Sequence, residues 1–387
     1  MVRFAHLADT HLGYRQYGLE ERETDFYKTF TNLIDDIITE NPDFIIHSGD
    51  LFETNRPSTR ALYTFQNALE KLNKENIPIY AIPGNHDISL KKDSLPPQVL
   101  YRLEGLNLIS PNSPYYTYED IFIGGIPYTP LSHKNTLKDN IEIIKRKAEE
   151  YKTKILVLHQ GIDKYMPYGS ELEIGELPEN FNYYAMGHLH NYINNPYGEG
   201  CLVYPGSSEI WKTSEIGDYK KHGKGYVIAT IDENQTSVER KTVNISREFI
   251  NKTIEYQNLF NELQDIKNSL LRYGAPPIIN ITVTGDKFKT TSVYEKIHQE
   301  LDNYALLVRP TCEFDKEMEI LDNEKIGTLD PKRFLDEHFQ DSQYPKAGDF
   351  VVDLFDKLSH GKREEAESLV DTYYKETFTK KQETKEE

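Results

Sequence analysis

Ile77-Pro78-Ile79-Tyr80-Ala81-Ile82-Pro83-Gly84-Asn85-His86-Asp87 is an apolar run that stops at Pro-Gly and then presents an amide, an imidazole and a carboxylate. The run predicts a buried strand, and an Asn-His-Asp triplet is more than a turn needs. Four other segments end alike: Asp9-Thr10-His11 after residues 2–8, Gly49-Asp50 after Phe44-Ile45-Ile46, His159-Gln160-Gly161 after residues 154–158, and Gly187-His188-Leu189-His190 after residues 183–186. Between the first three, amphipathic helices are predicted over residues 25–40 (Phe26, Phe30, Leu33, Ile34 and Ile37 on one face) and from Pro57 onward (Leu62, Phe65, Leu69 and Leu72). Strand–helix alternation with polar residues at the carboxyl ends of strands is where open α/β sheets place ligands.

The chain's 387 residues suffice for two or three domains with their own cores. Charged residues make up 28% and no long apolar stretch occurs, which excludes a membrane-spanning helix. The first residues read as a strand, without a signal peptide's apolar core or cleavage site. Cys201 and Cys312 lack CxxC partners, which leaves neither a disulfide framework nor a thiolate metal site. A soluble, cytoplasmic protein is expected. The net charge of −18 argues against broad electrostatic coating of nucleic acid. Half of it, however, sits in residues 313–387, with 21 Asp/Glu against 12 Lys/Arg. A contact anchored by metal ions remains compatible with that balance.

Beyond a first domain over residues 1–245, the periodicity predicts a small α+β capping domain at 246–312 and an acidic linker at 313–330. A helical segment follows at 331–378, and then a charged, disordered end at 379–387. Phe350, Val351, Leu354, Phe355 and Leu358 form an apolar stripe, which either folds back on its own chain or lies in a partner's groove.

Any one of the 12 histidines is more often a surface or capped residue than a ligand, and Asp50 alone could be a turn residue. The five segments together carry the argument. Oxygen and imidazole donors without thiolates suit zinc, manganese or iron. Two ions about 3.5–4 Å apart can share a carboxylate and act on a phosphate ester. Asp50 is the natural bridge if its strand lies between those of Asp9 and Asn85. An x-His pair at i, i+2 sends both rings to one side of an extended segment, and the glycines allow tight turns beside the ions.

The ordered set D-x-H, G-D, G-N-H-D, H, G-H-x-H, across roughly residues 1–240, resembles the calcineurin-like metallophosphoesterase superfamily. Within it, Leu7-Ala8-Asp9-Thr10-His11-Leu12-Gly13, Arg22-Glu23, Gly49-Asp50-Leu51-Phe52, Arg56-Pro57-Ser58 and Tyr204-Pro205-Gly206-Ser207 look like the DNA double-strand-break repair nucleases of the Mre-eleven/SbcD family, archaeal type. The resemblance implies an α/β sandwich of two mixed β-sheets flanked by helices, with the capping domain and helical tail added. It implies two manganese ions per subunit, one held by Asp9, His11, Asp50 and His190, the other by Asp50, Asn85, His159 and His188. His86 would contact the scissile phosphate as general acid or transition-state stabiliser, with Asp87 as an orienting partner. Glu53 stands where some relatives have a histidine.

The implied activity is manganese-dependent 3′-to-5′ exonuclease and endonuclease cleavage of DNA ends. Further DNA contacts are expected from Tyr14, Arg15, Arg22, Arg56, Ser58, Lys91, Lys92, His133, Lys134 and Ser207. A homodimer is expected through Leu62, Leu69, Leu100 and Leu103, and an ABC-type, SMC-like ATPase would dock on the tail. Two competing readings are a metallophosphoesterase for small substrates, which leaves the later domains without a task, and a non-catalytic DNA-end tether. Clustered carboxylates, costly to keep together without metals, weigh against the tether.

Overall fold

Val2 and Phe4 point one way from the first strand and Ala5 and Leu7 the other, and all four are buried. A strand covered on both faces needs a layer on each side, and the rest of the chain supplies them. The computed structural model describes residues 1–89, 94–233, 235–270, 272–286, 288–314, 347–359 and 363–374.

The elements run β1 (Val2–Leu7), α1 (Glu20–Glu40), β2 (Phe44–His47), α2 (Thr59–Lys74), β3 (Ile79–Ala81) and β4 (Leu106–Leu108). Next come β5 (Tyr115–Tyr118), β6 (Ile121–Ile126), α3 (Lys134–Ala148), β7 (Thr153–His159), β8 (Tyr183–Gly187), β9 (Ile193–Tyr197) and β10 (Gly200–Tyr204). A short helix α4 (Ile216–His222) precedes the hairpin β11 (Lys224–Asp232) and β12 (Gln235–Val243). Then follow β13 (Phe249–Glu255), α5 (Leu259–Leu270), β14 (Ile278–Gly285), α6 (Thr290–Leu301) and β15 (Leu307–Phe314), and finally α7 (Ala347–Ser359) and α8 (Arg363–Tyr374).

Two six-stranded mixed sheets make the sandwich, ordered β12-β11-β1-β2-β3-β4 and β5-β6-β7-β8-β10-β9. Strands β1 to β4 are parallel, as are β6, β7, β8 and β10, with antiparallel strands at the edges. The period of two sorts each strand between two cores. Phe4, Phe44, Ile46, Tyr80 and Ile82 meet Ile123, Ile155, Val157, Tyr183 and Ala185 between the sheets. Phe44 stacks on Phe4 at 5.0 Å and meets Tyr80 edge-on at 5.6 Å. On the outside, Phe30, Leu33, Ile34 and Ile37 of α1 and Phe65, Leu69 and Leu72 of α2 cover the first sheet. Leu137, Ile141 and Ile144 of α3 cover the second.

Helix α1 begins at Glu20, five residues before the apolar periodicity, because its first turn is acidic: Glu20, Glu21 and Glu23 favour a helix N-terminus through the dipole. Strands β5 and β9 are edge strands that the hydrophobic pattern did not reveal. Strand β15 runs to Phe314, so residues 313 and 314 are strand and not linker; residues 315–330 lie outside the described residues. Leu69 is buried in the chain's own core and cannot serve a dimer contact, whereas Leu100 and Leu103 are exposed.

Two units divide the chain: residues 1–283 with 289–311, and residues 284–288 with 312–387. In the first, Asp25 of α1 joins Arg22 (2.8 Å) to Arg247 (2.8 Å), the latter just before β13. Arg22 also reaches Glu209 at 3.3 Å. In the second, α7 packs on α8 through Phe350 stacked on Tyr373 at 4.1 Å. Val351 is exposed and Leu354 half-buried; the side chains of Phe355 and Leu358 lie outside the described residues.

Asp25→Ala leaves two buried guanidinium groups short of their carboxylate. A loss of about 3–5 kcal/mol of unfolding free energy is expected, measured by urea denaturation, and a loss near zero would contradict the pairing.

Candidate metal centre

The carboxyl ends of β1, β2 and β3 in one sheet and of β7 and β8 in the other meet at a single edge of the sandwich, and their loops are laced by backbone bonds. Ser48 N–H donates to the Leu7 carbonyl (3.0 Å), Asp9 N–H to Gly49 (3.0 Å), His11 N–H to Asp50 (3.1 Å) and Leu12 N–H to Leu51 (2.9 Å). The carboxylate of Asp87 then accepts N–H bonds from Gly84 (2.9 Å), Leu51 (3.1 Å) and Phe52 (2.9 Å). Asp87 therefore clamps the loop after β3 to the loop after β2, and it does not orient His86 as expected from sequence.

The lacing is tight enough to force unusual backbone. Asp9, His11, Asp50 and His188 hold φ of 52°, 45°, 53° and 92°, a region that side chains adopt at a cost and that clusters at functional sites. Gly84 is required for a different reason. A Cβ there would sit 2.1 Å from Asp50 Oδ1.

This backbone brings together all seven residues read from the sequence. His159 Nε2 lies 3.3 Å from Asp50 Oδ2, 3.0 Å from Asn85 Oδ1 and 4.0 Å from Asp9 Oδ1. His188 Nδ1 lies 2.9 Å from Asn85 Oδ1. His11 Nε2 lies 3.2 Å from His190 Nε2 and 3.9 Å from Asp50 Oδ2, and His190 Nε2 is 3.9 Å from Asp9 Oδ1. Donor atoms of Asp9, His11 and His190, and of Asp9, Asp50 and His159, form groups compact enough to hold an ion.

Tautomers test whether a cation fits. The Ser48 carbonyl can only accept, so His159 Nδ1, at 2.8 Å, carries a proton and leaves Nε2 facing two oxygens. His190 Nδ1 likewise donates to Glu215 Oε1 at 2.8 Å. His11 Nδ1 lies 2.9 Å from Glu53 Oε2, close but off-axis for a hydrogen bond. His11 Nε2 then faces the His190 Nε2 lone pair at 3.2 Å, and either donates a proton to it or, as the other tautomer, shares a cation with it. Outer nitrogens tied to carboxylate or carbonyl are the usual support of metal-bound imidazoles. A proton is the other candidate cation. Burial disfavours charge on His159, yet the Asp50 and Asp9 carboxylates push its pKa up to about 9. Burial also opposes charge on Asp50, but His159 and His11 outweigh it and hold the carboxyl well below its usual range. Burial raises Asp9 to about 6, and burial with the Asp50 charge raises Asp87 to about 7.

Residues 2–192 match the model of the calcineurin-like phosphoesterase family. The chain is similar to the DNA double-strand break repair protein Mre11 of Methanocaldococcus jannaschii, 35% identical over 97% of this chain and 100% of that one. It also resembles the Mre11 proteins of Methanococcus maripaludis (40% identical, 59% of this chain and 63% of that one) and Saccharolobus solfataricus (34%, 80% and 82%). The chain belongs to the Mre11 family. Membership places it among metal-dependent phosphodiester hydrolases.

Within this Mre11-family site, sequence reasoning missed the roles of three residues, of which it had singled out only Glu53. Glu53 is one: its carbonyl lies 2.9 Å from His86 Nδ1, its Oε1 3.6 Å from the same nitrogen, and its Oε2 accepts from Trp211 Nε1 at 3.1 Å. The orienting partner of His86 is thus Glu53. Glu215 is the second, taking His190, Lys224 Nζ (2.6 Å) and the Trp211 N–H (3.2 Å) together. Trp211 is the third, with its ring 5.5 Å from His11 and 5.8 Å from His86. Glu53 follows the Gly49-Asp50-Leu51-Phe52 motif, but no motif marks Trp211 or Glu215, which come from a loop brought in by the fold. A cleft of about 490 Å³ is lined by Asp50, Asn85, His86, His188, His190 and Trp211, among others.

The expected DNA contacts fare unevenly. Arg22 is fully buried among Asp25, Glu209 and Gln16, so it cannot reach a phosphate. Ser207 is also fully buried, packed against Lys224 and Glu215. Lys134 is held by Glu173 and Glu176, Arg15 by Glu23, and the Ser58 hydroxyl caps α2. Tyr14 stacks on Trp211 at 5.2 Å. Arg56 and His133 are exposed; Lys91 and Lys92 lie outside the described residues.

Burial opposes charge on Glu215, but Lys224 and His190 prevail and lower its pKa from 4.5 to about 2. Because the folded value is depressed, the charge stabilises the fold above pH 4.5, and that contribution is lost as pH falls towards 2. The stability gap between wild type and Glu215→Gln should therefore narrow by about 1 kcal/mol between pH 5 and pH 3.5, read from denaturant unfolding at each pH.

Proposed function

We propose that the chain is a manganese-dependent DNA nuclease, acting as 3′-to-5′ exonuclease and endonuclease on DNA ends in double-strand-break repair. The observation that carries this reading is Asp50. Its Oδ2 faces His159 at 3.3 Å and His11 at 3.9 Å, while its Oδ1 accepts the N–H of His86 at 2.8 Å. One carboxylate thus touches both imidazole groups and fixes the residue beside the substrate cleft.

Two ions fit the donor set, one among Asp9, His11, Asp50 and His190 and the other among Asp50, Asn85, His159 and His188. When bound, such a pair supplies an activated water and stabilises attacking and leaving oxygens. The protein contributes the rest. Glu53 fixes the His86 ring, whose Nδ1–H donates to the Glu53 carbonyl, so Nε2 is the nitrogen left for the departing oxygen, and it donates there when the ring is in its imidazolium form. Arg56 and His133 are candidates for further contacts with the DNA backbone. Exposed Leu95, Leu100 and Leu103 support a homodimer, and the apolar stripe of α7 supports docking of an ABC-type, SMC-like ATPase. Among the described residues no helix is long and apolar enough to cross a membrane, in keeping with a cytoplasmic role.

His86→Ala should keep manganese affinity within a few-fold and lose about 10²–10⁴-fold in cleavage of linear DNA. Asn85→Ala should lose at least about tenfold in manganese affinity. Calorimetry and nucleotide release read the two effects separately. Turnover of a chromogenic phosphomonoester without release of nucleotides from DNA would sink the reading.

A further inference from the structure

Trp211 is the only tryptophan in the chain. It belongs to no ligand group, and yet it is fastened at three points. Its N–H donates to Glu215 Oε2 (3.2 Å), its carbonyl accepts from Gln16 Nε2 (2.7 Å), and its indole N–H donates to Glu53 Oε2 (3.1 Å). The ring sits 5.3 Å from His190 and 5.8 Å from His86, and it lines the cleft beside Asn85. Tyr14 lies nearly parallel to it, 24° off and 5.2 Å away. Lys212 brings its ammonium to 5.5 Å from the ring centroid.

Packing alone does not account for this placement. Trp211 is half-buried and lines the cleft, so part of its ring stays open beside the ligand groups. Glu53 already satisfies the ring's single donor, so what the indole offers the cleft is π surface. A flat aromatic partner is the ligand such a surface takes. Next to groups that address a phosphodiester, that partner is a nucleobase. Stacking of a base on an aromatic side chain is worth about 1–3 kcal/mol and accepts any base, which suits an end-processing enzyme without sequence preference.

Resting on the nuclease reading, we propose that Trp211, braced by Tyr14 stacked on one face, is a specificity residue that stacks the nucleobase of the nucleotide whose phosphate lies at the metal centre. It favours polynucleotide over base-free phosphodiesters and reads no sequence. Lys212 meets a neighbouring phosphate.

The single tryptophan makes the contact directly observable. Two single strands of equal length, one intact and one abasic at every position, both with cleavage-resistant phosphorothioate linkages, are titrated into the manganese-loaded chain. The intact strand is expected to quench Trp211 emission, while the abasic strand competes for binding and leaves emission unchanged. With ordinary linkages, Trp211→Ala should lose about 5–150-fold more on the intact strand than on the abasic one, since loosening of Glu53 slows both alike, and Trp211→Phe should keep most of the difference between the strands. Equal quenching by both strands overturns the assignment. So does an equal loss on both strands for Trp211→Ala, the pattern of a merely damaged fold. A wild-type chain that cleaves both strands at one rate overturns stacking alone, whereas one that cleaves neither overturns the nuclease reading as well.

Discussion

Imidazole nitrogens aimed at a buried carboxylate demand a cation, and the fold is arranged around that demand. His159 and His190 have their outer nitrogens committed to the Ser48 carbonyl and to Glu215. Their inner nitrogens converge with that of His11 on Asp9 and Asp50, which are almost without exposure. Burying two carboxylates together without compensation is costly. The left-handed backbone of Asp9, His11, Asp50 and His188, the backbone lacing of the β1 and β2 loops, and the Asp87 clamp all hold groups that repel one another in the absence of positive charge. A divalent cation turns that repulsion into binding energy, which couples metal affinity to the integrity of the strand ends.

The same edge is tied to the start of β13 by buried charges. Arg247 meets Asp25, Asp25 meets Arg22, and Arg22 donates to Gln16, whose amide holds the Trp211 carbonyl. Ile210 and Ile216 pack with Phe249 and Ile278 alongside. The segment that carries Trp211 and Glu215 is therefore braced from outside the metal centre. Arg22, expected to meet DNA, instead serves this brace.

The cluster of seven candidate ligands was legible because each follows a strand whose apolar run is plain in sequence, and Gly49-Asp50 and Gly84-Asn85 announce turns too tight for other residues. Residues such as Phe44-Ile45-Ile46, with no polar face to turn to water, showed strands covered on both sides, whereas the two-sheet sandwich was implied only by the family resemblance. Pairing across space was not legible. Glu53, Trp211 and Glu215 are adjacent to the histidines only after the sheets fold against each other, and Asp87 could not be assigned to Leu51 and Phe52 from its own neighbours. Charge misled at Arg22, because a cation looks alike in sequence whether it faces phosphate or a buried carboxylate. The edge strands β5 and β9 escaped notice because half-exposed segments, one rich in tyrosine and one in asparagine, lack the apolar signal of the central strands.

The central claim is that Asp50 is shared by two ions. Electron paramagnetic resonance of the chain during manganese titration tests it most directly. The account predicts that the second equivalent replaces the isolated-ion signal with that of an exchange-coupled pair, and that Asp50→Asn abolishes the coupling. Saturation at one equivalent, or two equivalents that stay magnetically isolated, would contradict it.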